Sequence, residues 1–142
     1  SFLQDRRGAQ RSYEVTEVNE MLQGMERFHG IFICTTNLMD RIDQAALRRF
    51  TFKIQFKPLT RAQRQTLFVT DACTGDAARL TPDLENRLSR LDQLCIGDFA
   101  AVQRQASILD VHMDPAEFLE QLEAEHRIKP EVREARGMGF LK

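Results

Sequence analysis

The sequence is poor in several residue types and patterns, and each shortage excludes a class of protein. Its 142 residues include no Trp, one Tyr and three Cys. No apolar run approaches the roughly eighteen residues that a membrane span needs, and the N-terminus lacks the basic and then apolar order of a signal peptide. Cys34, Cys73 and Cys95 lie far apart among apolar neighbours, which indicates reduced, buried thiols more than a disulfide or zinc framework. We therefore expect a cytoplasmic protein with no membrane partner and no metal site.

An excess of charge of one sign is also lacking. The 20 Lys and Arg face 21 Asp and Glu, which gives a formal net charge of −1. Such a chain has no global electrostatic attraction to nucleic acid, and we expect no nucleic-acid partner.

A third absence concerns phosphate binding, because no Gly-x-x-x-x-Gly-Lys-Ser/Thr segment occurs that could cradle phosphates. What remains is the ordinary composition of one medium or two small soluble domains.

The most informative segment is an apolar run that ends in a polar Asn. Residues 31–34 are continuously apolar and are bounded by Gly30 and a Thr-Thr-Asn sequence, which predicts a strand buried on both faces of a parallel sheet. Asn37 then lies at the carboxyl end of that strand, where α/β sheets bind ligands. Its amide can there hydrogen-bond a phosphate oxygen or an attacking water. Taken alone, an Asn that caps a turn is the simpler interpretation.

A pair of arginines follows that Asn. Asp43 is a candidate N-cap for a short helix, and Arg48 and Arg49 close this helix. Basic residues at a helix C-terminus interact favourably with the helix dipole, which by itself accounts for the pair. The functional alternative is that a planar, permanently charged guanidinium stabilises the charge on a transferring phosphoryl group.

The flanking segments predict one more strand and otherwise helices. Residues 50–56 alternate between apolar and polar, as in a strand near a sheet edge. Upstream, residues 6–12 predict a polar loop broken by Gly8, and residues 16–27 predict an amphipathic helix. After Pro58 the pattern is helical only, with Thr60, Thr81 and Asp114 as helix N-caps. Four helices with short connections predict a small bundle, followed by a loosely held tail or a short extra helix.

Residues 35–37 and 42–50 together resemble the sensor 1 and arginine-finger region of the AAA+ ATPases, close to the AAA clade of protein-remodelling enzymes. Residues 1–7 resemble the helix that follows the Walker B acidic pair in that family. Residues 97–100 resemble the start of the lid helix that carries sensor 2, although Ala100 stands where some clades have an Arg.

The resemblance implies an α/β fold and a set of site residues. Residues 1–58 would be the C-terminal part of the ATPase core, a partial P-loop NTPase parallel sheet with helices. Residues 59–142 would be an all-α four-helix lid with a C-terminal tail. Asn37, Arg49 and Arg48 are the implied catalytic residues, and Gly97 and Asp98 are implied to contact the adenine and ribose. Because the family usually separates its two arginines and this chain does not, the identity of the finger stays open.

The function implied is remodelling of a protein substrate by an ATP- and Mg²⁺-dependent ATPase in a homo-oligomeric ring, a hexamer in the family. Asn37 would orient water at its own γ-phosphate, while Arg49 or Arg48 would reach into the site of the next subunit. This chain has neither the Walker A loop nor the Walker B acidic pair, so alone it is expected to hold no cofactor and to be inactive. If Ser1 is the true start, few strands flank residues 31–36, and exposed apolar surface with self-association or marginal stability is expected. The favoured expectation is that the missing half of the sheet belongs to the same polypeptide.

The alternative is a binding or adaptor module without catalysis, or a degenerate AAA+ relative that keeps the shape and has lost the phosphate loop. A nucleic-acid role ranks third, because no stacking aromatic residues accompany the arginines.

Overall fold

The computed structural model describes residues 2–37 and 39–139, and in that part of the chain the ordered elements are all helical. The side chains of residues 2–7, 10–15, 138 and 139 lie outside the description. The chain divides into two compact units, residues 1–55 and residues 56–142. The α-helices are α1 (Phe2–Arg27), α2 (Gln44–Leu47), α3 (Arg61–Asp71), α4 (Pro82–Ser89), α5 (Ile96–Leu109), α6 (Pro115–Arg127) and α7 (Pro130–Gly139). Short 3₁₀ turns cover Met39–Arg41 and Ala77–Arg79.

The predicted α/β fold is wrong for the described residues, because neither predicted strand forms. Residues 31–36 and 52–58 have irregular backbone. Their apolar side chains face solvent, with Ile31 88% exposed, Phe52 82% and Phe56 92%. A strand is stable only when a neighbouring strand pairs its N–H and C=O groups and another layer covers its apolar face. The apolar pattern was present in the sequence, but the described part of the chain offers these segments no such partner.

The first unit is built on one long helix. Helix α1 runs continuously over 26 residues, so the loop predicted at residues 6–12 is wrong and Gly8 lies within the helix. Near its end Leu22 is almost fully buried. Asp43 caps α2 as predicted, because its Oδ1 accepts a hydrogen bond from the Ala45 N–H at 3.2 Å.

The helix starts of the second unit confirm the three predicted N-caps. Thr60 accepts from the Gln63 N–H at 3.3 Å, and Gln63 Oε1 accepts from the Thr60 N–H at 2.9 Å. Thr81 caps α4, which has Pro at the start of its first turn. Asp114 forms the same reciprocal arrangement with Glu117 at the start of α6. Each cap satisfies backbone donors that the first turn of a helix leaves without partners.

Helices α3 to α6 enclose the hydrophobic core of the second unit. The Phe68 and Phe118 rings meet edge to face with centroids 6.1 Å apart, and Phe99 lies 6.2 Å from Phe118. The leucines of α4 and of the segment after it are buried, as are residues from every other core helix. The buried core residues are Phe68, Ala72, Cys73, Leu84, Leu88, Leu91, Leu94, Phe99, Val102, Phe118, Leu119 and Leu122. Helix α7 follows α6 and packs against it, so the region beyond residue 127 is helical over Pro130–Gly139.

The cysteines follow the prediction only in part. All three are free thiols, with Cys73 buried and Cys95 half-buried, but Cys34 is exposed because the strand predicted to bury it does not form. Burial raises the pKa of the Cys73 thiol. Within the described residues, the helices are too short or too polar to span a bilayer.

Candidate functional site

Asn37 lies in a bend that follows the irregular residues 31–36, and its side chain is exposed. The sequence argument placed this amide at the carboxyl edge of a strand, and that placement is wrong here because the strand is absent. An exposed carboxamide keeps both its donor and its acceptor groups accessible to a ligand. The residue is therefore accessible to a ligand, and its backbone belongs to neither a helix nor a strand.

Arg48 and Arg49 are placed by helix α2. Asp43 fixes the start of this helix, and the Arg48 N–H closes its end by donating to the Gln44 carbonyl at 3.3 Å. The Arg49 N–H donates to the Ala46 carbonyl at 3.1 Å, and Ala46 is buried. A capped helix with a buried central residue thus presents two exposed guanidinium side chains from a defined backbone.

The two adjacent arginines differ in their partners. Arg49 Nε lies 3.3 Å from Glu26 Oε1 at the end of α1, with the two side chains 42% and 55% exposed. Among the described side chains, no ion pair involves Arg48. An ion pair this exposed contributes little to stability because water and salt screen it. It does give the Arg49 guanidinium a direction that Arg48 does not have.

Gly97 and Asp98 lie in the first turn of α5, in the second unit. The Asp98 carboxylate has structural partners, because its Oδ2 accepts from the Cys95 N–H at 2.7 Å and lies 2.9 Å from Lys129 Nζ. These contacts tie the start of α5 to the segment between α6 and α7. A Cβ added to Gly97 would meet no atom within 4 Å, so nothing in this unit requires glycine there.

The described residues do not form a site for a triphosphate by themselves. The sequence has no glycine-rich phosphate loop, and the one acidic residue predicted to contact nucleotide is already paired with Lys129. The described residues also contain no cluster of three or more His, Cys, Asp or Glu side chains that could hold a metal ion. We therefore derive no catalytic step from a nucleotide held by these residues alone.

A cleft in the second unit was missed by the sequence analysis. It has a volume of about 530 Å³ and lies between the ends of α4 and α6 and one face of α7. Its lining residues are Arg87, Arg90, Leu91, Asp92, Gln93, Glu123, His126, Arg127, Glu131, Val132, Ala135 and Arg136. The four arginines come from three separate helix segments, so no run of basic residues in the sequence indicates that they share one cleft.

One ion pair and one hydrogen bond to a histidine shape the walls of this cleft. Arg87 Nε donates to Glu123 Oε1 at 2.8 Å, which joins α4 to α6, and this bond raises the pKa of Arg87. His126 Nε2 accepts from the Gln93 N–H at 3.2 Å and lies 3.4 Å from Asp92 Oδ1. Burial lowers the pKa of His126, while the Asp92 carboxylate opposes that shift. Neutral His126 is the form that accepts the Gln93 hydrogen bond.

Residues 1–58 match the family model described as "ATPase family associated with various cellular activities (AAA)". This part of the chain belongs to the AAA ATPase family, which confirms the family that residues 35–37 and 42–50 resemble. The match over residues 1–58 supports an AAA-type ATPase in general, a family whose members bind ATP and depend on Mg²⁺. No curated protein and no solved structure matches the chain. The family match ends before α3, so the assignment of the second unit as a lid stays a prediction.

Proposed function

We propose that this chain supplies the sensor and arginine-finger part of a cytoplasmic AAA-type ATPase that remodels a protein substrate in a homo-oligomeric ring, a hexamer as in its family. The observation that carries this proposal is the family match over residues 1–58, the segment that contains Asn37, Arg48 and Arg49. The proposal requires that sequence outside these residues supply the phosphate loop and the acidic pair for ATP and Mg²⁺. Gly97 and Asp98 would then contact the nucleotide from the lid.

The proposed roles follow from the chemistry of the side chains. Asn37 orients the attacking water at the subunit's own γ-phosphate through its exposed carboxamide. A guanidinium from the same subunit stabilises the developing charge in the neighbouring site. Because a finger that acts on a neighbour needs an adjacent subunit, activity requires a head-to-tail interface, and closure of such an interface gives a ring.

Arg49 is the better candidate for the finger. Its ion pair with Glu26 orients the guanidinium. Because both side chains of this pair are exposed, breaking it costs little free energy. A γ-phosphate carries more charge than one carboxylate and accepts a bidentate bond, so it can displace Glu26. Arg48 caps the end of α2, where the helix dipole alone favours a basic side chain.

The test is ATP turnover by the protein that carries this chain together with its phosphate loop. Arg49→Ala is expected to lower kcat by about 10³-fold or more with a small change in KM, as expected for loss of an arginine finger. Arg48→Ala is expected to lower kcat much less. Arg41→Ala is the matched control, because Arg41 is also exposed in the first unit. The proposal fails if the protein with both Arg48 and Arg49 changed to Ala hydrolyses ATP at the unaltered rate.

A binding module without catalysis is the second candidate, and the observation that favours it is the lack of a phosphate loop in these 142 residues. The two candidates are separated by sequencing the reading frame around this segment and by equilibrium binding of a fluorescent ATP analogue with Mg²⁺. An upstream Walker A segment with saturable binding supports the ATPase. No such segment and no binding would support the adaptor.

A further inference from the structure

We propose that the arginine-lined cleft between α4, α6 and α7 binds an acidic peptide segment in which carboxylate and apolar side chains alternate. The cleft lies wholly within the second unit, so this inference does not depend on the ATPase role of the first unit.

The first argument is the charge left over after pairing. Glu123 is engaged by Arg87 within the walls. Asp92 lies beside neutral His126 and has no cationic partner among the described residues of the lining. Three further guanidinium groups line the same cleft, and among the described residues none of them has a side-chain hydrogen bond or ion pair. These are Arg90, Arg127 and Arg136, and all three are exposed. Asp92 and Glu131 are the two remaining carboxylates of the lining, so the three guanidinium groups outnumber them. The free charge is therefore positive, on a chain whose net charge is −1.

The second argument is the type of cation. Arginine presents a planar fork of donors that matches a carboxylate in a bidentate arrangement, and it is less strongly hydrated than lysine. The lining has four arginines and no lysine. Several such forks from different helices can engage successive carboxylates along one segment.

The third argument is a rigid frame. Arg64, almost fully buried, donates to the Ser89 carbonyl at 3.3 Å and so anchors the end of α4 just before Arg90. The Arg87–Glu123 bond fixes α4 against α6, and the Gln93–His126 bond fixes the following segment. A site whose walls are already in place loses less entropy on binding than one that must form.

The fourth argument is the apolar part of the lining, which decides the class of ligand. Leu91 is buried, Val132 is half-buried and Ala135 completes an apolar strip among the arginines. A free phosphate would leave that strip uncovered, whereas an apolar side chain between two carboxylates covers it. The lining contains no Phe, Tyr or Trp on which a base could stack, so it is poorly suited to single-stranded nucleic acid. The volume of about 530 Å³ is in the range of sites that take a few side chains.

The experiment measures fluorescence anisotropy of a short fluorescein-labelled peptide in which Glu alternates with Leu, titrated with the full chain. The double variant Arg90→Ala with Arg136→Ala removes two of the free cations. Its matched control is Arg104→Ala with Arg133→Ala, which removes the same charge from exposed positions of α5 and α7 outside the lining. Circular dichroism melts verify that both variants stay folded.

We expect saturable binding of the Glu–Leu peptide that the cleft variant weakens by about tenfold or more and the control variant by less than about twofold. A Gln–Leu peptide should bind much more weakly, because it lacks the carboxylates. Equal weakening by both variants would overturn the proposal, since it would show attraction to charge in general. Absence of peptide binding, or competition by inorganic phosphate or polyuridylate RNA with the same dependence on Arg90 and Arg136, would also overturn it.

Discussion

Among the titratable residues of the second unit, His126 is the one whose surroundings most directly make the stability of that unit depend on pH. It is buried, accepts the Gln93 N–H, and has Asp92, Lys129 and Asp98 as its charged neighbours. Burial lowers its pKa below the ordinary value of 6.5. The unfolded chain therefore binds a proton more readily than the folded chain in the window below pH 6.5. Stability that is present above that value is lost as the pH falls through the folded pKa.

We accordingly expect the unfolding free energy of the chain to decrease as pH is lowered from about 7 to about 5. His126→Gln should flatten this dependence, because the amide can accept from Gln93 but does not titrate. His112→Gln is the control, since His112 is exposed. Urea unfolding at several pH values measures both. Burial raises the pKa of Asp71, so the contribution of this carboxyl to stability is lost as the pH rises. That change falls in a pH range nearer the ordinary carboxyl value of 3.8. An unchanged pH dependence in His126→Gln would contradict the role given to this histidine.

Single residues also show where sequence reasoning ends. The sequence pattern indicates that Arg64 is an ordinary basic residue of an amphipathic helix. In the structure it is buried and donates to the Leu59 and Ser89 carbonyls. Burial lowers its pKa, and its Nε has no hydrogen-bond partner in the described structure. The Leu59 carbonyl is close in sequence, but the Ser89 carbonyl belongs to an element that only the tertiary fold brings near Arg64. The sequence contains no local signal for such a contact.

Among the elements, helix starts were predictable because the interactions that define them are local. Asp114 accepts from the Glu117 N–H at 2.8 Å, and Glu117 Oε2 accepts from the Asp114 N–H at 3.0 Å. Both partners lie three residues apart, so the pattern is visible in the sequence. The predictions of strands at residues 31–34 and 50–56 were wrong for the opposite reason. The stability of a strand depends on partners that no short window of sequence contains.

The cap at Asp114 yields a quantitative prediction for α6. Asp114→Ala removes the acceptor of the Glu117 N–H and should lower the unfolding free energy by about 1 kcal/mol. Glu120→Ala removes the same charge from an exposed position of this helix and should change it by less than about 0.5 kcal/mol. Thermal or urea unfolding of the two variants compares them. Equal losses would show that helix charge, and not the cap, accounts for the effect.

At the scale of the whole molecule, the two units differ in how much apolar surface they leave in water. The second unit has a continuous core, whereas the first exposes large apolar side chains in two irregular segments. The most exposed of these are Ile31, Ile33, Phe52 and Ile54, joined by Phe56 at the boundary. Exposed apolar segments are sites of association between chains.

We therefore expect the purified chain to self-associate as its concentration rises. Phe52→Lys with Ile54→Lys should reduce that association strongly, because it removes two exposed apolar side chains. Thr51→Lys with Gln55→Lys adds the same charge to the same segment but keeps the apolar residues. Light scattering across a concentration series compares the pairs. If the control pair suppresses association equally, net charge and not apolar surface controls it.

The family of residues 1–58 was predictable from the sequence, whereas the roles of the candidate site residues stay predictions. The order of a Thr-Thr-Asn sequence, a capped turn and an arginine pair identified the family that matches residues 1–58. The pairing of Arg49 with Glu26 was not predictable, because it joins the ends of two helices separated by the irregular segment. The arginine-lined cleft was missed for the same reason, since its cations come from three helix segments.

The most direct test of the central claim measures ATP turnover in a mixture of two inactive variants. Both are variants of the protein that contains this chain together with its phosphate loop. Asn37→Ala disables a subunit's own site but leaves its Arg49, while Arg49→Ala leaves the site intact and removes the finger for the neighbour. If Arg49 acts across a subunit interface, mixed oligomers contain Arg49→Ala sites that receive a finger from Asn37→Ala neighbours. ATP turnover of the mixture should then exceed that of either variant alone. Turnover no higher than the average of the two would contradict the account.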